Sequence, residues 1–122
     1  MMYNCGIDIV DIARIEKSVQ NPIFLKKYFS EDEQIMFSKK KNPYPSIAAN
    51  FAAKEAFSKA LGTGIRGFGL DEISVLRNEC GAPFFSFTGN AKKIVESQGL
   101  SFSVSQSHTD STACAMVIAF VL

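Results

Sequence analysis

The chain of 122 residues has almost no net charge, with 13 Lys and Arg against 12 Asp and Glu, a formal +1. That balance excludes a protein that binds polyanions with its whole surface, and an acidic partner has to be met by a local basic patch. Nothing in the sequence points to nucleic acid. Cysteine is scarce and odd in number. Cys5, Cys80 and Cys114 contain no CxxC pair and no metal-like spacing. They are expected to be reduced, buried thiols acting as small hydrophobes in a cytoplasmic protein. The single histidine, His108, excludes a His-rich zinc site. Neither a GxSxG nucleophile elbow nor a Walker A loop is present. The segment MMYNCGIDIV has no basic region and is broken by Asp8, so it does not read as a signal peptide. The run ACAMVIAFVL is ten residues long, half of the ~20 that a bilayer-spanning helix needs. No membrane association is expected, and the run reads as a strand buried on both faces.

What is present suits one packed domain over residues 1–122, because 47% of the residues are hydrophobic and 20% charged. Residues 3–10 read as a strand in which Ile7 and Ile9 alternate with Asp8. Asp11 is placed to cap a helix over about 12–21, with Ile12, Ile15 and Val19 as its buried stripe and Arg14, Lys17, Ser18 and Asn21 opposite. A second helical stretch holds Phe24, Leu25, Tyr28 and Phe29. Ser30 and Glu33 have capping-box spacing before a helix over about 31–40. Ser46 is expected to cap a long helix over 47–61, which Gly62 ends in the left-handed conformation. Residues 62–69, GTGIRGFG, hold four glycines in eight positions and form a loop. Strands at 71–78 and 83–87, a helix at 89–98 and a hairpin of 100–107 with 112–121 complete an α+β pattern.

The chemistry concentrates in FAAKEAFSKALGTG, residues 51–64. Glu55 and Lys59 lie one turn apart on a helix face that runs into the glycines. Glu55 sits among Ala52, Ala53, Ala56 and Phe57, an apolar setting in which a carboxylate needs a partner. A surface ion pair with Lys59 is one reading. The other is a metal carboxylate and a phosphate-binding lysine aimed at one anion, beside glycines that let backbone N–H groups approach it. Asp8 is either the polar face of a half-buried strand or a second metal carboxylate. Two carboxylates suit Mg²⁺, which completes its shell with phosphates and water, and also suit Mn²⁺. His108 and Thr109 are either a solvated turn or a phosphate contact.

Taken together, Gly6-x-Asp8-Ile9, FAAKEAFSKA, the following GTG, GAP at 81–83 and SxSHT at 105–109 resemble the holo-acyl-carrier-protein synthase family over about residues 6–120. These are small 4′-phosphopantetheinyl transferases. The resemblance implies the 4′-phosphopantetheinyl transferase fold. It also implies Mg²⁺-dependent transfer of phosphopantetheine from coenzyme A to a serine of apo-acyl carrier protein. Adenosine 3′,5′-bisphosphate is released, and the product serves fatty acid biosynthesis. On this resemblance Asp8 and Glu55 are the metal ligands, and Lys59 contacts the phosphates. Glu55 or a metal-bound water takes the serine proton. Gly62, Thr63 and Gly64 line the nucleotide, His108 and Thr109 reach the 3′-phosphate, and Pro83 packs near the adenine. Lys54 and Glu55 form the family's K-E pair. Active sites are expected between the subunits of a homotrimer.

Arg14 matches the family arginine that meets the acidic carrier protein, with Lys17, Phe24 and Leu25 beside it. Asn50 replaces the arginine usual before FAAKEA, which implies one cationic contact to coenzyme A fewer. Two other readings compete: a different Mg²⁺-dependent enzyme of nucleotide pyrophosphates, and a non-catalytic module that binds coenzyme A or carrier protein.

Overall fold

Strand β1 (Tyr3–Asp11) pairs antiparallel with β5 (Thr112–Val121), which pairs antiparallel with β4 (Leu100–His108), giving a sheet of order β1-β5-β4. Strands β2 (Ile73–Arg77) and β3 (Pro83–Phe87) form a separate antiparallel pair. The helices are α1 (Ile12–Val19), α2 (Pro22–Tyr28), α3 (Glu31–Ser38), α4 (Tyr44–Leu61) and α5 (Gly89–Ser97), with a 3₁₀ turn at Leu70–Glu72. This computed structural model describes residues 3–121. Its α+β architecture, with helices early and antiparallel sheets around them, is the one the sequence pattern implies.

Small residues let α4 lie close against the first sheet. Ala52, Ala53, Ala56 and Ala60 on the helix are buried, as are Ala113, Ala115 and Ala119 on β5. Gly6 takes this furthest, since a Cβ there would stand 1.9 Å from the carbonyl oxygen of Ala56. The other side of α4 packs on aromatic rings. Phe57 is fully buried, with the rings of Phe68, Phe85, Phe87 and Phe102 centred 4.9–5.9 Å away.

Several local expectations hold for local reasons. The Ser30–Glu33 capping box is complete, and Gly62 closes α4 at φ 81°. Others are corrected. Helix α4 begins at Tyr44, because Pro45 lacks only an N–H that the first turn does not use, so Ser46 lies inside that turn and caps nothing. Asp11 precedes α1 but makes no side-chain cap. The Ile12 N–H instead donates to the Ser111 carbonyl at 2.9 Å. Val19 is only half-buried. Cys5 and Cys80 are exposed and Cys114 is half-buried, because they fall on an outward strand face and in a turn.

Strand β1 is inside out relative to its hydrophobicity. Period-2 alternation puts Gly6, Asp8 and Val10 toward α4 and Ile7 and Ile9 outward, where they are 64% and 70% exposed. Strand β5 is likewise covered on one face only. Ala113, Ala115, Val117 and Ala119 are buried, while Met116 is 44% exposed. The two strands thus share an open apolar face, in which Ile7 pairs with Met116 and Ile9 with Cys114.

Candidate active site

The inversion of β1 delivers Asp8 to α4. Glu55 and Lys59 project from adjacent turns of that helix, and Lys59 Nζ donates to the Ile7 carbonyl at 2.8 Å and to Asp8 Oδ1 at 3.3 Å. The contact is half-open, with the Lys59 side chain 56% exposed and that of Asp8 20%, so as an ion pair alone it adds little stability. Burial raises the Glu55 carboxyl above its ordinary value, the nearby Asp8 charge raises it further, and Lys59 pulls it back. Two carboxylates held close enough to repel each other are a place where a cation is favoured.

Glu55, Ser58, Lys59, Gly62, Gly64 and Ile65 line one cavity, so the end of α4 and the start of the glycine loop enclose a single space. Around the corner of Lys59, an apolar hollow is lined by Ile7, Asp8, Ile9, Lys59 and Cys114. Among the described residues no group of three or more His, Cys, Asp or Glu side chains gathers around a point. The donor set is therefore two carboxylates beside a space for an anion. That fits Mg²⁺, which commonly takes one or two carboxylates and completes its octahedron with phosphate oxygens and water.

Not every residue singled out in the sequence joins this space. Thr63 lies across the loop, lining a second cavity with Gly62, Arg66, Ile94 and Gln98. Pro83 starts β3 opposite Arg77. His108 closes β4, its Nδ1 3.0 Å from the Thr109 carbonyl oxygen. Thr109 Oγ1 accepts from the N–H groups of Ser111 and Thr112. Pro83, His108 and Thr109 do not line either cavity of this chain. Ser58 and Ile65 line the first cavity without having been singled out. For Ser58 the signal was present, since it sits between Glu55 and Gly62 on the same stretch of helix.

Asn50 stands apart from this cavity. Five residues before Glu55, it is turned about 140° around the helix and is fully buried. Its Nδ2 donates to Glu33 Oε2 and to the Val75 carbonyl, both at 3.0 Å, and its Oδ1 accepts from Gln106 Nε2 at 3.0 Å. Asn50 thus belongs to an internal polar network and does not line the cavity of Glu55 and Lys59. Lys54 lies at the heart of that network, fully buried and paired with Glu33. Burial pushes the Lys54 ammonium below and the Glu33 carboxyl above their ordinary values, and their attraction opposes both shifts.

The surface of α1 and α2 forms a groove lined by Lys17, Asn21, Ile23, Phe24, Lys27 and Tyr28. Arg14 is exposed on α1. Phe24 and Leu25 are both half-buried against the core, and of the two Phe24 lines the groove.

Comparison with known proteins gives the family and the fold. The model of the 4′-phosphopantetheinyl transferase superfamily matches residues 4–117. A holo-[acyl-carrier-protein] synthase of Clostridium botulinum is 42% identical over 120 residues, covering 96% of this chain and 98% of that protein. The crystal structure of holo-[acyl-carrier-protein] synthase from Neisseria meningitidis superposes with a TM-score of 0.91 at 35% identity, covering 98% of this chain and 99% of that one. The Helicobacter pylori holo-[acyl-carrier-protein] synthase, solved in complex with coenzyme A, gives a TM-score of 0.83 at 36% identity, over 95% and 99% of the two chains. With a family model matched over nearly its whole length and relatives of about 42% identity covered end to end, the chain belongs to the 4′-phosphopantetheinyl transferase superfamily.

Proposed function

We propose that this enzyme transfers the 4′-phosphopantetheine group of coenzyme A to a serine hydroxyl of apo-acyl carrier protein, releasing adenosine 3′,5′-bisphosphate. The observation that carries the proposal is the meeting of Asp8, Glu55 and Lys59 at the mouth of the glycine-loop cavity. The relatives named for this activity support it, as does the relative solved with coenzyme A.

Asp8 and Glu55 are the residues that would hold Mg²⁺, or Mn²⁺ in its place. The bound ion supplies neutralisation of charge on the pyrophosphate oxygens. Lys59 donates to the phosphates and stabilises charge developing on the leaving group. Its contact with Asp8 at 3.3 Å supports this placement beside the two carboxylates. Gly62, whose own N–H closes α4 on the Lys59 carbonyl, and Gly64 keep side chains out of the ligand's way, and Gly64 offers its backbone N–H. Glu55 or a metal-bound water would accept the proton of the incoming serine. The acidic carrier docks on α1 and α2, where Arg14, Lys17 and Lys27 supply charge that speeds encounter and Phe24 supplies an apolar contact.

The open apolar face of β1 and β5 is closed by further copies in a homotrimer. That assembly brings Pro83, His108 and Thr109 of one copy toward the nucleotide of the next, which accounts for their distance from the cavity of their own chain. A role in fatty acid biosynthesis follows from the carrier protein as acceptor. No helix among the described residues is long and apolar enough to cross a membrane.

The test is the intact mass of an apo-acyl carrier protein after incubation with the enzyme, coenzyme A and Mg²⁺. A gain of roughly 340 Da that a chelator abolishes is the expected result, since the metal holds the transferred phosphate. No gain from a protein that still binds coenzyme A would leave only a binding module.

A further inference from the structure

The glycine loop at 62–69 has little structure of its own. Its internal backbone bonds amount to Gly62 N–H to the Lys59 carbonyl and Arg66 N–H to the Gly64 carbonyl. Residues 62–67 are all exposed. Such a segment holds a shape only if both of its ends are fixed. One end is fixed by α4. The returning end is fixed from the side. Lys54 Nζ is within 2.9 Å of the Leu70 carbonyl and 2.7 Å of the Ile73 carbonyl, at the start of the 3₁₀ turn and of β2. The same ammonium lies 2.7 Å from the Tyr28 carbonyl, 2.5 Å from Glu33 Oε1 and 4.7 Å from the centre of the Phe29 ring. Three N–H donors thus serve four acceptors in a fully buried position.

We propose that Lys54 is a positioning residue: from the buried side of α4 it anchors the return of the 62–69 loop, and so sets where Gly62, Gly64 and Ile65 stand against the ligand on the opposite side. The adjacent residue, Glu55, faces the ligand. One short stretch of helix therefore carries both the reacting group and the tether for the loop that holds the substrate. The proposal rests on the nucleotide reading of that loop. Glu72 reinforces the anchor, its Oε1 accepting from the Gly69 N–H at 3.1 Å and from the Ala91 N–H at 3.3 Å.

The loop carries its own reporter, because Arg66 is exposed within it and trypsin cleaves after arginine. The experiment compares wild type, Lys54→Met and the double variant Glu33→Gln/Lys54→Met, below the melting temperature of each. The double variant leaves no unpaired carboxylate buried and so keeps the fold testable. In the folded double variant, cleavage after Arg66 is expected to quicken and coenzyme A to bind more weakly, each by about 10- to 100-fold, the range typical of residues that hold a ligand-contacting group in place. The KM for coenzyme A rises while turnover at saturating coenzyme A is retained, since Glu55 and Lys59 stay on α4. Unchanged cleavage in the folded double variant overturns the proposal, and so does faster cleavage with unchanged coenzyme A affinity. Wild type that fails to bind coenzyme A refutes the nucleotide reading instead. Cleavage after Arg66 then judges the anchor by itself, faster cleavage sustaining it and unchanged cleavage refuting it.

Discussion

Replacing Gly6 with alanine tests the link between packing and chemistry. The added Cβ would lie 1.9 Å from the Ala56 carbonyl oxygen and 2.9 Å from the Ala60 nitrogen, both of them backbone atoms inside α4. Neither can swing aside as a side chain would. Strand and helix must separate by roughly 1.5 Å to restore van der Waals contact. Overpacking of this kind costs about 1–3 kcal/mol, which for a domain of this size lowers Tm by roughly 4–12 °C. The functional cost is larger, because Asp8 is two residues along the same strand and Glu55 and Lys59 flank Ala56 on the same helix. A misplacement of about 1 Å between reacting groups costs on the order of 100-fold in rate. Thermal denaturation reads the first effect, and the rate of carrier-protein mass gain at 25 °C, where the variant is still folded, reads the second. Gly99→Ala is the control. Its Cβ meets nothing within 4 Å and only its φ of 62° is strained, so it costs about 1 kcal/mol. A Gly6→Ala protein with wild-type Tm and rate would refute the close approach of β1 to α4 as the feature that aligns the site.

Glu55→Gln keeps the shape of the site and removes a charge, so turnover should fall by orders of magnitude while the protein stays folded; near-normal turnover would take Glu55 out of the mechanism. Arg14→Glu is expected to raise the KM for carrier protein and leave coenzyme A affinity as it was, and a parallel loss of both would move the carrier site away from α1. Light scattering should give three times the chain mass, and Met116→Lys on the open face should lower that mass together with activity. A fully active monomer would sink the shared site.

Legibility followed the range of each interaction. The Ser30–Glu33 box and the Gly62 stop depend on neighbours within one helical turn, and the sequence shows both. The stripe of Glu55 and Lys59 follows from helical spacing alone. The facing of β1 does not, because Ile7 and Ile9 beside Asp8 suggest an apolar inside and a polar outside. The reverse arises from Gly6 and Val10, whose neighbours on α4 are some 50 residues away in the chain. That Asn50 turns away from Glu55 is readable from the roughly 140° between them, whereas its partners Glu33, Val75 and Gln106 are distant in the chain and carry no local signal. The partners of Lys54 could not be found from sequence at all, since three of its acceptors are backbone carbonyls of residues 28, 70 and 73, which carry no side-chain signature.

Helix α5 has no side-chain cap from Thr88, the residue before it. The Glu72 carboxylate serves its first turn instead, accepting from the N–H groups of Asn90 and Ala91 at 3.1 and 3.3 Å. The helix is therefore finished by a residue on the far side of the β2–β3 hairpin. Its start closes only after that hairpin has folded back on itself, and it opens whenever the hairpin does. The first turn of α5, the hairpin and the end of the glycine loop thus form a single cooperative unit of unfolding, although no strand hydrogen bonds run between the helix and the hairpin.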